Sequence, residues 1–319
     1  MDSAEGSQTY KANHFICATG SKPTALPFAK FDEEKIISST GALSLKQVPK
    51  KLLVVGAGII GVELGSVYSR LGSEVVFLEY MDRICPTLDT SVSKAFQKIL
   101  EKQGLIFHLQ TKVTDLMTTQ NGIFAKALVQ NELKEFEADV ALVAVGRKPY
   151  TEGLGLDKIG VKMTDRGYVS VDANFRTNIP HILAIGDIID GPMLAHKAEE
   201  EGIAAAEILA GHQPKVSYAL IPNVVYTDPE IGCVGFTEEE LRAKNISYKA
   251  VEFPLKANSR ARCMGDDSGF VKMIVEKSTQ QILGVHILAP HAGELIGEAV
   301  VAMQQRLSAK ELGETFHAH

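Results

Sequence analysis

Lys51-Leu-Leu-Val-Val-Gly-Ala-Gly-Ile-Ile-Gly-Val-Glu-Leu-Gly65 is an apolar run that breaks into Gly56-x-Gly58-x-x-Gly61 and then takes up helical spacing. Leu52 to Val55 read as a strand buried on both faces. Ile60, Leu64, Val67 and Leu71 fall on one stripe of a helix that Gly72 ends. The helix N-terminus therefore points back at the loop. Gly56 permits the tight turn, Gly58 lets the backbone approach a pyrophosphate, and Gly61 lets the helix lie close to the strand. Ala57, Ile59, Ile60 and Val62 complete the loop and first turn, whose unpaired N–H groups supply an anion site. A second strand, Glu74 to Leu78, closes on Glu79, where an acidic group binds the ribose 2′-hydroxyl of a dinucleotide. The plain alternative for Glu79 is a solvated strand end, but strand, loop, helix, strand and acid stand in register. The expected cofactor is NAD rather than NADP. Neither Tyr80 nor Met81 is basic, and Arg83 is the one nearby cation.

A chain of 319 residues is too long for one ordinary core and points to two or three domains. With 45% apolar and 23% charged residues it can bury large cores, yet no apolar run approaches bilayer length, so no membrane span is expected. The formal charge of -6, without a basic cluster, gives no electrostatic reason to expect nucleic acid. Small ligands and protein partners are expected. The composition fits a soluble intracellular enzyme, and the opening MDSAEGSQTYKANHF is polar and reads as neither a signal peptide nor an Arg-rich presequence. Cys17, Cys85, Cys233 and Cys263 are far apart and read as free, buried small hydrophobes. His317 and His319 alone make no metal site, and no metal is expected.

Along the chain, Phe15-Ile-Cys-Ala-Thr-Gly-Ser21 reads as a strand running into a glycine turn. Residues 1–48 look like the later part of a domain. From Lys51 to about Gly146 the pattern is strand, helix, strand, then a helix with Val92, Phe96, Ile99 and Leu100 on one face. Strand material follows around Phe107 to Val113 and in Val140-Ala-Leu-Val-Ala-Val145. This is one doubly wound α/β unit, and Gly146, at the carboxyl end of a parallel strand, is expected in the same crevice as Gly58. Ile182 to Ile185 is a short strand that stops at Gly186-Asp187, and a helix runs from about Leu194 to Ala210. From the residues alone, Asp187 either caps the turn or meets a ligand hydroxyl, with capping slightly ahead. Beyond Gln213-Pro214 the pattern becomes an antiparallel sheet with helices, one opened by the capping box Thr237-Glu-Glu-Glu240.

Segments spread over almost the whole chain carry a resemblance: ICATGS, VVGAGIIGVELGSVYSRLGSEVVFLE, VAVGRKP, ILAIGDIIDGPMLAHKAEEEG, NVVYTDPEIGCVG and the terminal ETFHAH. In order and spacing they resemble the dihydrolipoamide dehydrogenases of the pyridine nucleotide-disulfide oxidoreductase family. The resemblance implies doubly wound FAD- and NAD-binding domains followed by an α+β dimerisation domain. It divides the chain into residues 1–48, the later part of an FAD-binding domain; 49–147, the NAD-binding domain; 148–214, the return of the FAD-binding domain; and 215–319, the interface domain. It assigns Thr19, Gly20, Ser21, Asp187, Met193, Leu194, Ala195 and His196 to FAD, which outweighs the capping reading of Asp187. It assigns Gly56 to Glu63, Glu79, Val113 and Gly146 to NAD. Glu199, Glu200 and Glu201 are left as a solvated helix start.

The implied reaction is flavin-mediated oxidation of dihydrolipoamide with reduction of NAD⁺. The implied partners are the dihydrolipoyl groups of 2-oxo acid dehydrogenase complexes or the glycine cleavage system, and a second copy of the chain. The expected compartment is the cytoplasm of a bacterium or the mitochondrial matrix. His319, the second His of the HAH motif, takes the role of catalytic base, held in similar enzymes by a Glu a few residues later that this sequence does not contain. Similar enzymes also carry an earlier G-x-G-x-x-G for FAD and a redox pair in C-x-x-x-x-C spacing, and neither is found in these 319 residues. The sequence therefore reads as an enzyme incomplete at both ends. Two alternatives stay open: another NAD-dependent flavoenzyme of the family, such as a mercuric reductase-like or NADH oxidase-like protein, and a non-catalytic nucleotide-binding module.

Overall fold

The computed structural model describes residues 2–3 and 6–318. They form two compact units, one built from the segment up to Pro23 with Arg147–Ser217, the other from Thr24–Gly146 with the segment from Tyr218 onward.

In the second unit, five parallel strands lie in the order Ile36–Ile37, Val140–Val143, Lys51–Val55, Glu74–Leu78, Ile106–His108. The runs at 52–55 and 140–143 are continuously apolar because both faces of the sheet are covered. Helices Ile59–Arg70 and Thr90–Lys102 cover one face, where Leu52, Val54, Phe77, Phe96 and Leu100 share a core. The other face carries an antiparallel meander of Thr111–Thr119, Gly122–Val129 and Glu132–Ala138. Its Leu116, Ile123, Ala125 and Ala127 pack with Leu53, Val55, Val76 and Leu78. From Lys51–Val55 the chain winds outward through Glu74–Leu78 to Ile106–His108, then returns to the opposite side at Val140–Val143. This reversal opens a crevice at the strands' carboxyl ends, between the turns that follow Val55 and Val143.

Of this meander, the sequence pattern shows only the strand material around Phe107 to Val113. Its signal was in the turns, Asn121-Gly122 and Gln130-Asn131, where Gly122, Gln130 and Asn131 have positive φ. The buried stripe of the helix Ile59–Arg70 also differs from expectation. Gly61, Val62, Gly65, Ser66 and Tyr68 are the buried residues, while Val67 and Leu71 are 48% and 59% exposed. The small residues win because the helix lies close enough for a Cβ at Gly65 to strike the Phe77 ring.

Beyond Tyr218 an antiparallel sheet runs in the order Asn223–Val225, Glu230–Gly235, Ile282–Ala289, Phe270–Glu276, Tyr248–Pro254. Helix Ala292–Gln304 packs on one face, its Ile296 sharing a core with Val234, Val285 and Ile287. Val225, Ile231 and Leu288 belong instead to the core that holds Val54 and Phe77, so residues 51–108 and this sheet share one interior. The capping box Thr237/Glu240 is formed, at the start of the helix Glu238–Ala243.

In the other unit, Phe15–Cys17 pairs in parallel with Ile182–Ala184, and Ser21–Pro23 pairs antiparallel with Arg147–Pro149. Helix Ala195–Leu209 closes a core of Leu183, Ile188, Ala204 and Ala205. Residues 24–48 do not join this unit, because Ile36–Ile37 extends the parallel sheet of the other.

Candidate functional site

The crevice at the strand reversal is built from glycine geometry. Gly56 has φ +97, and a Cβ there would come within 2.6 Å of the Ala144 carbonyl oxygen. A Cβ at Gly61 would collide with the Gly56 carbonyl oxygen, so the loop folds tightly under the helix. Gly58 differs from both: an added Cβ would meet nothing within 4 Å. It is the N-cap of the helix Ile59–Arg70, without a side-chain cap and without an acidic residue in the first turn. An open space in front of an uncapped 12-residue helix suits a phosphate group. The loop therefore fits a dinucleotide.

Glu79 follows the strand Glu74–Leu78 and is 7% exposed. Its Oε2 accepts the Ala57 N–H at 2.5 Å and its Oε1 accepts the Met81 N–H at 2.7 Å. The solvated strand end is thus excluded. A carboxylate has about four lone-pair sites, so two backbone bonds leave it able to accept a hydroxyl. Arg83 is occupied nearby, donating to Asp82 at 3.3 Å and to the Pro86 carbonyl at 3.1 Å. Its buried Nε has no hydrogen-bond partner among the described residues. Glu63, one helical turn into Ile59–Arg70, accepts the Tyr226 N–H at 2.7 Å. Burial pushes its carboxyl above the usual range despite that bond. Val113 is half-buried on the first strand of the meander, and Gly146, at φ +120, opens on free space after Val143. Ala57 and Val62 are fully buried, and Ile59 and Ile60 partly so.

In the other unit, Thr19, Gly20, Ser21 and Asp187 come together. The Thr19 hydroxyl donates to the Tyr150 carbonyl at 2.5 Å, and the Gly20 carbonyl accepts the Tyr150 N–H at 2.9 Å. Ser21 Oγ donates to Asp187 while accepting Arg147 Nε at 2.7 Å. Asp187 sits in the 3₁₀ turn Gly186–Ile188 with its carboxylate turned to Ser21, and it caps no helix. Met193 and Leu194 are half-buried; Ala195 and His196 are exposed at the start of Ala195–Leu209, whose N-cap Leu194 supplies no side-chain bond.

Glu201 corrects the solvated reading of Glu199 to Glu201. Glu199 and Glu200 are exposed, but Glu201 is fully buried and pairs with buried Lys197 at 3.1 Å. Glu201 accepts the Gly186 N–H at 2.7 Å, and Lys197 donates to the Gly186 carbonyl at 3.0 Å. The pair clamps the turn that carries Asp187. Its i, i+4 spacing was the available signal. Arg147 and Tyr150, which hold Ser21 and Thr19, also escaped the sequence reading.

The cysteines are free thiols, but only Cys85 is fully buried, and Cys263 is exposed on a short surface helix. Burial pushes the Cys233 thiol up to about 12 and that of Cys85 higher still. Among the described residues no group of His, Cys, Asp and Glu could hold a metal ion, and no helix is long and apolar enough to cross a membrane. His317 bonds to Glu298 Oε1 at 2.7 Å, while His319 lies outside the described residues.

Comparison with known proteins gives this geometry a lineage. Residues 2–202 match the family model described as pyridine nucleotide-disulphide oxidoreductase, and residues 221–319 match its dimerisation domain. The whole chain is 49% identical to 64% of the mitochondrial dihydrolipoyl dehydrogenase of Pisum sativum and 49% identical to 62% of leghemoglobin reductase of Glycine max. Over 98% of its length it is 48% identical to 66% of a Trypanosoma brucei brucei dihydrolipoyl dehydrogenase. The chain thus spans just under two thirds of the length of these curated relatives. Among solved structures, LpdA of Mycobacterium tuberculosis superposes with a TM-score of 0.91 at 29% identity, covering 99% of this chain and 69% of that one. The HOCl-induced flavoprotein disulfide reductase RclA of Escherichia coli superposes at 0.87 with 28% identity, covering 96% and 70%. With two matching family models and an α/β nucleotide-binding fold followed by an α+β domain, the chain belongs to the pyridine nucleotide-disulphide oxidoreductase family.

Proposed function

We propose that this chain serves in the NAD-dependent oxidation of dihydrolipoyl groups, as a dihydrolipoyl dehydrogenase. One observation carries the nucleotide half of this reading: the open space at Gly58, before an uncapped helix and beside the anchored carboxylate of Glu79. The substrate half rests on 48–49% identity to proteins named dihydrolipoyl dehydrogenase.

In this reading Gly56 to Glu63, Glu79, Val113 and Gly146 bind NAD. The N–H groups at the helix start hold the pyrophosphate, and Glu79 accepts the ribose 2′-hydroxyl and repels a 2′-phosphate. Thr19, Gly20, Ser21, Asp187, Met193, Leu194, Ala195 and His196 face FAD. Asp187, fixed by Ser21, keeps acceptor capacity for a flavin-chain hydroxyl. Bound flavin would supply the electron transfer between dithiol and nicotinamide. His319 accepts the proton from the dithiol, and residues 221–319 pair two copies. The lipoyl groups belong to 2-oxo acid dehydrogenase complexes or the glycine cleavage system, in the cytoplasm or the mitochondrial matrix.

A nucleotide-binding module without catalysis of its own is the second reading. It is favoured by four dispersed free thiols, two of them held firmly protonated by burial. Assay of the full-length gene product for dihydrolipoamide-dependent reduction of NAD⁺ separates the two. NADH formation supports the first reading, and NADH binding without turnover supports the second.

A further inference from the structure

Asp89 and Lys272 are 183 positions apart, and each is only 1% exposed. Asp89 is the N-cap of the helix Thr90–Lys102, and Lys272 stands on the strand Phe270–Glu276 of the antiparallel sheet. Lys272 Nζ donates to Asp89 Oδ1 at 2.8 Å, to Ser91 Oγ at 2.9 Å and to Glu238 Oε1 at 2.5 Å. Asp89 Oδ1 also accepts the Ser91 N–H at 3.0 Å, and Oδ2 accepts the Glu238 N–H at 3.1 Å. Burial alone would push the Asp89 carboxyl up, but the bonds from Lys272 and Glu238 prevail and hold it at about 2. Both groups are therefore charged in the interior.

The segment between Glu79 and Asp89 has no regular structure, yet Ile84, Cys85 and Leu88 are at most 3% exposed. It is pinned at two places. At its end, Asp89 anchors it to Lys272, and near its middle the Ile84 carbonyl accepts the Ser93 hydroxyl at 2.6 Å. At its middle, the Cys85 N–H donates to the carbonyl of Ala57 at 2.8 Å, within the glycine loop itself. Ala57 in turn donates to Glu79, which also accepts the Met81 N–H. The buried charge pair, the segment 80–88, the glycine loop and Glu79 thus form one continuous set of bonds.

We infer that Lys272, remote in sequence from the glycine motif, is a positioning residue for the dinucleotide site, acting through Asp89 and the segment 80–88 on Ala57 and Glu79. This rests on the reading of the glycine loop as the NAD site. A buried ion pair costs desolvation that an apolar pair of similar volume avoids, and its return here is a fixed geometry at the Asp89 end of the segment.

Lys272→Met alone leaves Asp89 charged and buried, a strongly destabilising change that confounds binding with folding. The test is therefore the double variant Lys272→Met/Asp89→Asn, which keeps an N-cap side chain on the helix Thr90–Lys102. Its affinities for NADH and for ADP-ribose are measured by calorimetry, together with its thermal midpoint. Ile296→Ala, on the buried face of the helix Ala292–Gln304, serves as a control for lost stability alone. Binding of both ligands should weaken roughly three- to thirtyfold in the double variant, the range that such chains of contacts carry, and should stay unchanged in the control. Equal weakening in the control, or unchanged affinity in a folded double variant, overturns the inference. Failure of the unmutated chain to bind NADH would instead overturn the reading of the site.

Discussion

The Glu79 carboxylate accepts the backbone N–H of Ala57 at 2.5 Å, so the acidic group at the end of one strand is fastened to the glycine loop after its neighbour. The charge is held in place before any ligand arrives, and a 2′-phosphate would have to approach a fixed carboxylate. Glu79→Ala removes that repulsion and leaves the Ala57 N–H without its acceptor. NADH affinity is expected to fall roughly ten- to a hundredfold, the worth of a charge-assisted hydrogen bond, and the gap to NADPH to narrow. Glu79→Gln, which retains an acceptor for Ala57, should narrow the gap with less loss of NADH. Titration of both nucleotides into both variants checks this.

Gly58 and Gly61 belong to one motif but should fail differently. Gly58→Val places its side chain in open space, so the fold should keep a thermal midpoint close to that of the unmutated chain while NADH binding is lost. Gly61→Val drives a side chain into the Gly56 carbonyl oxygen and should lower the midpoint sharply. Thermal unfolding with a parallel NADH titration separates the two, and unchanged affinity in Gly58→Val would remove the loop from the site.

The clamp on the Asp187 turn is a buried pair, Lys197 with Glu201. Glu201→Ala leaves a buried ammonium and an unbonded Gly186 N–H, at a cost of about 3–5 kcal/mol. Replacing both partners, as in Lys197→Met/Glu201→Leu, should cost far less, because no buried charge is stranded. Urea unfolding of the two variants gives the comparison. A double variant as unstable as Glu201→Ala would contradict it.

His286 is 2% exposed, its Nε2 meets the Phe236 carbonyl at 3.1 Å, and its Nδ1 has no partner among the described residues. Burial lowers its pKa below the usual imidazole value, against the opposing pull of that carbonyl. The unfolded chain therefore takes up the proton first as pH falls. Stability present near neutral pH is lost below the unfolded pKa of about 6.5, with a slope of at most about 1.4 kcal/mol per pH unit. His286→Leu should flatten this part of the urea-midpoint profile between about pH 7 and pH 5. An unchanged slope would assign the effect to other groups.

Much of this was legible in the sequence because it depends on local chemistry. The glycine spacing, the Glu74–Leu78 strand ending at Glu79 and the Thr237 capping box need only neighbouring residues to specify them. What escaped depends on partners far along the chain. Glu201 reads as one of three acids on a helix until the fold brings Gly186 against it, and Lys272 alternates innocently within a strand until Asp89 meets it. The helix Ile59–Arg70 misled in another way: its larger residues Val67 and Leu71 suggested the buried face, while close approach to the sheet required the small ones.

Equilibrium titration of the 319-residue chain with NADH and with NADPH decides whether the crevice at the strand reversal is an NAD site. Saturable binding of NADH, weaker binding of NADPH, and no NADH binding by the folded Gly58→Val variant are expected. Equal affinity for the two nucleotides, or NADH binding that survives in Gly58→Val, would contradict that assignment.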